Sequence, residues 1–247
     1  MTDFSRARSL SWALRLLSFS FVLSFSALHV SGKHEVTGFL NGNPEDVSIR
    51  GYVGDQINKC IEHRVKAQDV HELVEPFRKQ DESYRWQTEF FGKWLLGAIS
   101  SYDYTHDPAL FKLIKSAADS IMTTQLPDGY IGNYSPAARL TAWDIWGRKY
   151  TTLSLLSYYR LTGEEKALKA AQRVIDHLIA ELNNSGTDIA DTGNYFGMAS
   201  CSVLEPVVYL YNLTHDSKYL DFAKSILASI EKEGHSRLVA KALDGVP

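Results

Sequence analysis

Cysteine is scarce in this chain: Cys60 and Cys201 are the two thiols among 247 residues. Neither lies in a C-x-x-C pair, which excludes a paired-cysteine metal or redox motif within the sequence. They form either one disulfide in an oxidising compartment or two separately buried thiols. The eight histidines make no H-x-x-H or H-E-x-x-H pattern, so no metal and no metal hydrolase built within this chain is expected. Excess positive charge is missing too, with 26 basic against 29 acidic residues and a formal charge of −3. Without a basic run or an aromatic-interleaved basic stripe, nucleic acid is excluded as a partner. Period-two alternation is absent, so strands are not expected.

One long apolar run exists, residues 16–30, LLSFSFVLSFSALHV. It is short and serine-rich for a bilayer span, and Arg6, Arg8 and Arg15 come before or at its start. That pattern reads as a secretory signal over residues 1–32, cleaved after Ala27 or Gly32, with an uncleaved N-terminal anchor helix as the alternative. The expected location is therefore exported, periplasmic or extracellular, with no membrane association after cleavage. In a eukaryotic host, Asn133, Asn183 and Asn212 head formal glycosylation sequons.

What remains is 45% hydrophobic and 12% aromatic overall, enough for one sizeable core. Residues 33–54 read as a Gly/Asn/Pro-rich arm and 55–247 as a single domain dominated by helices. Apolar spacing predicts helices from Asp55 to a stop at Pro76, from Glu89 to Tyr104, and from Pro108, capped by Asp107, to about Gln125. Further helices are predicted over Ile145–Leu161, Glu164–Leu182, Met198–Leu213 and Ser217–Glu233. One phrase recurs between them: Tyr102-Asp-Tyr-Thr-His-Asp-Pro, Tyr159-Arg-Leu-Thr-Gly-Glu-Glu and Tyr211-Asn-Leu-Thr-His-Asp-Ser. The threonines, Thr105, Thr162 and Thr214, stand 57 and 52 residues apart. Each phrase ends one helix on an aromatic and starts the next beside an acid, where the helix dipole favours negative charge. Each repeat is a helical hairpin.

These repeats exceed the roughly 33 to 47 residues of common helical solenoid units. The excess lies in 125–144 and 183–195, always at the end opposite the repeated turn. One rim should therefore carry short turns and the other long loops, as in a two-layered all-α toroid of helical hairpins. A ring of six such hairpins needs about 300 residues. The chain supplies three hairpins and part of a fourth, and no terminating helix is read in residues 238–247, so it is expected to be the truncated first half of such a ring.

The stretch Gln125–Tyr150 concentrates turn residues and aromatics between two long helices, the composition of a ligand site at the mouth of a helical scaffold. Trp143 offers a flat face for a sugar ring, and Trp146, one turn from Tyr150, fits either that use or a packed stripe. Asp144 suits either a helix cap or a ligand contact. Glu205 lies in an apolar run where burial needs a partner, for which Arg148 is the candidate. Asp144 with Glu205, or Glu89 with Asp144, would be the carboxylate pairs for a conventional acid/base hydrolase.

Four ordered motifs, Trp86–Trp94, Gln125–Tyr134, Trp143–Tyr150 and Gly193–Pro206, resemble the N-terminal half of glycoside hydrolase family 127, whose type activity is β-L-arabinofuranosidase. The resemblance covers residues 51–247 and implies the first half of an (α/α)6 barrel acting on plant-type or related glycans. It also implies an acid/base glutamate in a Gly-Glu-Ser/Ala-Phe motif, and a thiolate nucleophile and zinc in Glu-x-Cys and paired-Cys motifs. None of these occurs here, and neither Cys60 nor Cys201 matches them. No catalytic residue is therefore assigned, no cofactor is expected in this chain, and zinc is expected only in a full-length relative. The missing half of the barrel becomes the expected partner. What remains is a substrate wall built from Gln87, Glu89, Trp143, Asp144, Arg148, Tyr195 and Glu205, with a carbohydrate as the ligand. The alternative is a non-catalytic α/α carbohydrate-binding or interaction module.

Overall fold

A computed structural model describes residues 46–246; the signal segment and most of the arm lie outside them. Ten α-helices follow in order: α1 Gly51–Cys60, α2 Val70–Lys79, α3 Thr88–Thr105, α4 Pro108–Met122, α5 Asp144–Thr162, α6 Glu165–Ser185, α7 Met198–Cys201, α8 Leu204–Thr214, α9 Ser217–Ile230 and α10 Leu238–Leu243. Among the described residues there is no strand, only one isolated parallel bridge between Glu82 and Tyr134. The domain is an all-α toroid fragment.

Helices α3, α5 and α8 stand side by side as an inner layer, while α4, α6 and α9 back them from outside. The outer helices are amphipathic at the 3.6-residue period, and their inward stripe is sealed. In α4 it is Leu110, Ile114, Ala117 and Ile121, in α6 Ala167, Ala171, Val174 and Leu178. Each such Leu or Ile contributes about 1.5–3 kcal/mol by burial. Two glycines let α3 and α5 approach closely. A Cβ on Gly92 would meet the Tyr150 carbonyl oxygen at 2.5 Å, and one on Gly147 would collide with the Thr88 side chain. That approach brings the first turns of α3 and α5 together.

The repeated phrase forms one repeated turn. His106, Gly163 and His215 all take the left-handed conformation that ends a helix, and their N–H groups donate to the carbonyls of Tyr102, Tyr159 and Tyr211 at 2.7, 2.7 and 2.8 Å. Each threonine works in both directions. Its Oγ1 donates to the carbonyl four residues back, at 2.8, 2.8 and 2.7 Å, and accepts the N–H two residues ahead, at 3.4, 3.2 and 3.2 Å. Asp107 and Asp216 then cap the following helices through the N–H groups of Ala109 and Lys218. Glu164 holds the equivalent place but pairs with Lys115 and Lys166 instead.

The boundaries differ from the sequence reading. The helix read from Asp55 to Pro76 is broken between Val65 and Val70, where Asp69 caps a new helix through His71 and Glu72 N–H. The first helix begins at Gly51, inside the stretch read as an arm. Pro76 does not end its helix, which runs to Lys79; the last turn is retained because Phe77 is fully buried and packs edge-on to Phe91, 5.8 Å between centroids. The helix read over Met198–Leu213 is broken after Cys201. Residues 238–243 do form a short terminal helix.

Candidate aromatic groove at the long-loop rim

The N-terminal ends of α3, α5 and α8 all point to one rim, where the connections are long. Three loops meet there, and hydrogen bonds tie them together. Glu82 N–H donates to the Asn133 carbonyl at 3.0 Å and Ser135 N–H to that of Glu82 at 3.0 Å, while Asn194 N–H reaches the Ala142 carbonyl at 3.1 Å. The Pro-Asp-Gly turn expected from the sequence is present. Gly129 takes φ 104, and Arg173 on α6 clamps the turn through the carbonyls of Leu126 and Pro127. Asn133 is sealed in this rim at 1% exposure, which removes its sequon from consideration for glycosylation.

Between the loops lies an open groove of about 650 Å³ lined by Tyr84, Trp86, Glu89, Lys93, Trp143, Trp146, Asn194 and Tyr195. Trp143 is its hub, edge-on to Trp86 at 5.9 Å, to Trp146 at 5.9 Å and to Tyr195 at 5.6 Å. Such edge-to-face contacts fix ring orientation. Tyr195 and Phe196 are both left-handed, φ 56 and 53, and both remain exposed. Holding two aromatic residues so costs about 1–3 kcal/mol each, the kind of local strain that clusters at ligand sites. Glu89 is the one carboxylate among the lining residues. It accepts the Trp146 indole N–H and pairs with Lys93 at 3.0 Å. Trp146 and Tyr150, 5.1 Å apart, are thus a packed pair of which Trp146 still faces the groove.

Asp144 and Arg148 are elsewhere. Both are sealed beneath the 125–143 loop, at 2% and 0% exposure. The Asp144 carboxylate accepts from the Tyr130 hydroxyl at 2.8 Å, from Leu140 N–H at 2.9 Å, and from Arg148 Nε and Nη2 at 3.3 and 2.5 Å. Arg148 also pairs with Glu181 at 2.7 Å. Burial alone would lower the Arg148 pKa, but Asp144, Tyr130 and Glu181 outweigh it and the guanidinium is held charged. The same burial, with Asp144 alongside, pushes Tyr130 well up. The expected Arg148–Glu205 pair does not form. Glu205 is exposed on α8 and pairs with Lys149 of α5 at 3.2 Å, because its run, though apolar, leaves this position on the solvent-facing side of the helix. Asp144, with its oxygens engaged and no access to the groove, does not make the acid/base pairs considered with Glu89 or Glu205.

Of the remaining expected residues, Trp143, Glu89 and Tyr195 come together in the groove. Gln87 does not line it; its Oε1 accepts from Asn133 Nδ2 at 3.5 Å, and it faces an adjoining depression. Tyr84, Trp86, Lys93 and Asn194 were not singled out as site residues, although the Tyr84-Arg-Trp86 and Gly193-Asn194 spacings beside helix starts were visible. Cys60 is exposed and Cys201 buried, and neither is bonded; burial raises the Cys201 thiol to about 11, unsuited to nucleophilic use. Among the described residues no group of three His, Cys, Asp or Glu side chains is placed to hold a metal ion. No helix among them is long and apolar enough to cross a membrane.

Fold and groove together define a domain of α/α-toroid type with an aromatic groove on its long-loop rim. Residues 46–236 match the family model for the β-L-arabinofuranosidase GH127 catalytic domain, and the chain belongs to that family. Among solved structures, a GH127 β-L-arabinofuranosidase from Geobacillus stearothermophilus T6 superposes with a TM-score of 0.52 at 19% identity, over 78% of this chain and 32% of that one. Another, described as a glycoside hydrolase, gives 0.54 at 19% identity over 81% and 28%. At this identity the likeness establishes the fold. The chain spans about a third of the length of these relatives. No match is found among curated proteins.

Proposed function

We propose that this chain is the sugar-binding N-terminal part of an exported glycoside hydrolase acting on β-L-arabinofuranosides of plant-type or related glycans. The observation that carries this is the groove: five aromatic side chains line it with one carboxylate at the N-terminal ends of the inner helices, and three of them pack edge-on against Trp143. Flat rings take the C–H faces of a sugar, and Glu89 and Asn194 offer acceptor and donor groups to its hydroxyls. The acid/base glutamate, the thiolate and the zinc ligands would come from residues outside these 247. Export rests on the apolar run at 16–30.

A second reading, a non-catalytic carbohydrate-binding module, is favoured by one observation: Glu89 has no second carboxylate among the groove-lining residues. Titration calorimetry with methyl β-L-arabinofuranoside tests the shared part, with binding expected and Trp143→Ala expected to weaken it about tenfold. No heat for the wild-type chain would end both readings. The coding sequence beyond Pro247 separates them. A continuation with a Gly-Glu-x-Phe motif and a cysteine cluster, whose product cleaves p-nitrophenyl β-L-arabinofuranoside, supports the hydrolase; a stop codon there supports the module.

A further inference from the structure

One histidine sits where α5, α6 and the 125–143 loop meet. His177 of α6 borders a depression of about 660 Å³ together with Asp128, Asp176 and Glu181. Its Nδ1 lies 3.3 Å from Arg148 Nη1 and 3.7 Å from Glu181 Oε2. Its Nε2 lies 3.4 Å from both Arg139 Nη1 and Asp128 Oδ2. The ring is thus faced by Arg148 from α5, by Asp128, Arg139 and the Tyr130 ring from the loop, and by Glu181 on its own helix. Asp176 is engaged elsewhere, by Lys218 and Tyr219 of α9.

Each ring nitrogen therefore meets one guanidinium and one carboxylate. A guanidinium only donates, so a nitrogen that binds one must carry a lone pair. The neutral ring protonated on Nε2 meets this condition, with Nδ1 accepting from Arg148 and Nε2–H donating to Asp128. A second proton turns an N–H toward Arg148, and both burial and the Arg148 charge oppose it. The charged ring keeps Asp128 and Glu181 only by giving up Arg148.

That junction leads to the groove through hydrogen bonds. The Tyr130 ring lies edge-on to His177 at 5.6 Å, with the Arg139 and Arg148 guanidiniums 3.9 and 4.6 Å from its centre. Its hydroxyl donates to Asp144 at 2.8 Å and accepts Tyr134 N–H at 3.0 Å. The Tyr134 hydroxyl in turn accepts Trp143 N–H at 3.2 Å. A change in the seating of Tyr130 is therefore passed to the hub of the groove.

Resting on the functional reading above for its ligand, we infer that His177 is a proton-operated latch on the 126–143 loop. With the ring neutral, the loop holds Trp143 in the binding arrangement; protonation in acid frees the loop and weakens sugar binding. Regulation of the groove is thereby placed on the outer helix layer, away from the sugar itself.

Three measurements between pH 7.5 and 5 test the latch. The His177 ring C–H resonances should titrate with a midpoint below 6.5. Over the same interval hydrogen exchange of residues 126–143, corrected for its intrinsic pH dependence, should lose about fivefold in protection while the turns at Thr105 and Thr214 keep theirs. The dissociation constant of methyl β-L-arabinofuranoside, by calorimetry, should rise about threefold. His177→Asn and His177→Gln, neither of which takes up the proton, should both hold these changes below about 1.5-fold. Loop protection that does not follow the ring titration, or a pH response that survives in both variants, overturns the latch. Protection that falls while sugar affinity stays constant overturns its hold on the groove and the inference with it. Absence of sugar binding at either pH ends the functional reading instead, and the exchange measurement then decides the release of the loop by itself.

Discussion

The two rims of this domain solve the same problem, ending one helix and starting another, by different means. On the short-turn rim one solution is used three times, and the hydrogen-bond partners of each threonine lie within a few residues of it. On the long-loop rim no two connections are alike, and the partners lie far apart in sequence, as with Glu82 and Asn133 or Arg148 and Glu181. A turn that closes on itself can be copied without regard to its surroundings. A loop held by distant side chains is specific to its place, and that is the rim on which the groove is built.

The sharpest way to break this contrast is to remove the buried cation. Arg148→Met leaves Asp144 without its charge partner in a sealed site and removes the partner of partly exposed Glu181, and a loss of about 3–5 kcal/mol in urea unfolding is expected. Hydrogen exchange should show residues 126–143 losing protection while the repeated turns keep theirs; uniform loss would erase the distinction between rims. Trp143→Ala should do the reverse, reducing sugar affinity about tenfold with little change in melting temperature. Thr105→Val, Thr162→Val and Thr214→Val should each cost about 1 kcal/mol, similar in all three and additive in combination, because each removes one self-contained pair of hydrogen bonds. Widely unequal costs would show that the copies are not equivalent.

A smaller effect involves pH. His177, half-buried beside Arg148, Glu181, Asp128 and Arg139, has its pKa lowered from 6.5, first by burial and then by the Arg148 charge. The unfolded chain therefore binds a proton that the folded chain resists. Stability is full above pH about 6.5 and falls as the pH drops toward the folded value. Unfolding free energies at pH 5 and pH 7 should differ by less in His177→Asn than in the wild type; an unchanged difference would remove His177 from the account.

The same contrast decides what could be read from sequence. The short-turn rim was legible because its partners are neighbours: the aromatic, the threonine and the acid stand in one phrase, and its spacing gave the hairpins and the two-layered toroid. Trp143 and Tyr195 were legible as groove residues because long aromatic loops beside helix starts tend to be surface features. Asp144 and Arg148 looked like ligand contacts by the same logic, yet they are the buried fastening of the loop. What separates the cases is the position of Tyr130 and Glu181, residues 14 and 33 places away, and spacing alone carries no such information. Glu205 is misread for the opposite reason: an apolar run hides the solvent-facing side of α8, where Glu205 meets Lys149.

The self-contained turns also bear on how the domain reaches its folded state. Each hairpin has its hinge within a few residues, and two of the three also have the cap of the second helix there, whereas Glu164 of the middle copy reaches Lys115 on the preceding hairpin. The two helices of a hairpin can pair before more distant parts of the chain are in place. Contacts of short sequence separation form quickly and lose little to loop closure. The inner layer then grows by accretion, one finished hairpin settling on the last, and the order of assembly follows the order of synthesis. The Arg148 network, which joins α5, α6 and the 125–143 loop, can close only after those elements have met, so the fastening of that loop comes later than the hairpins it spans.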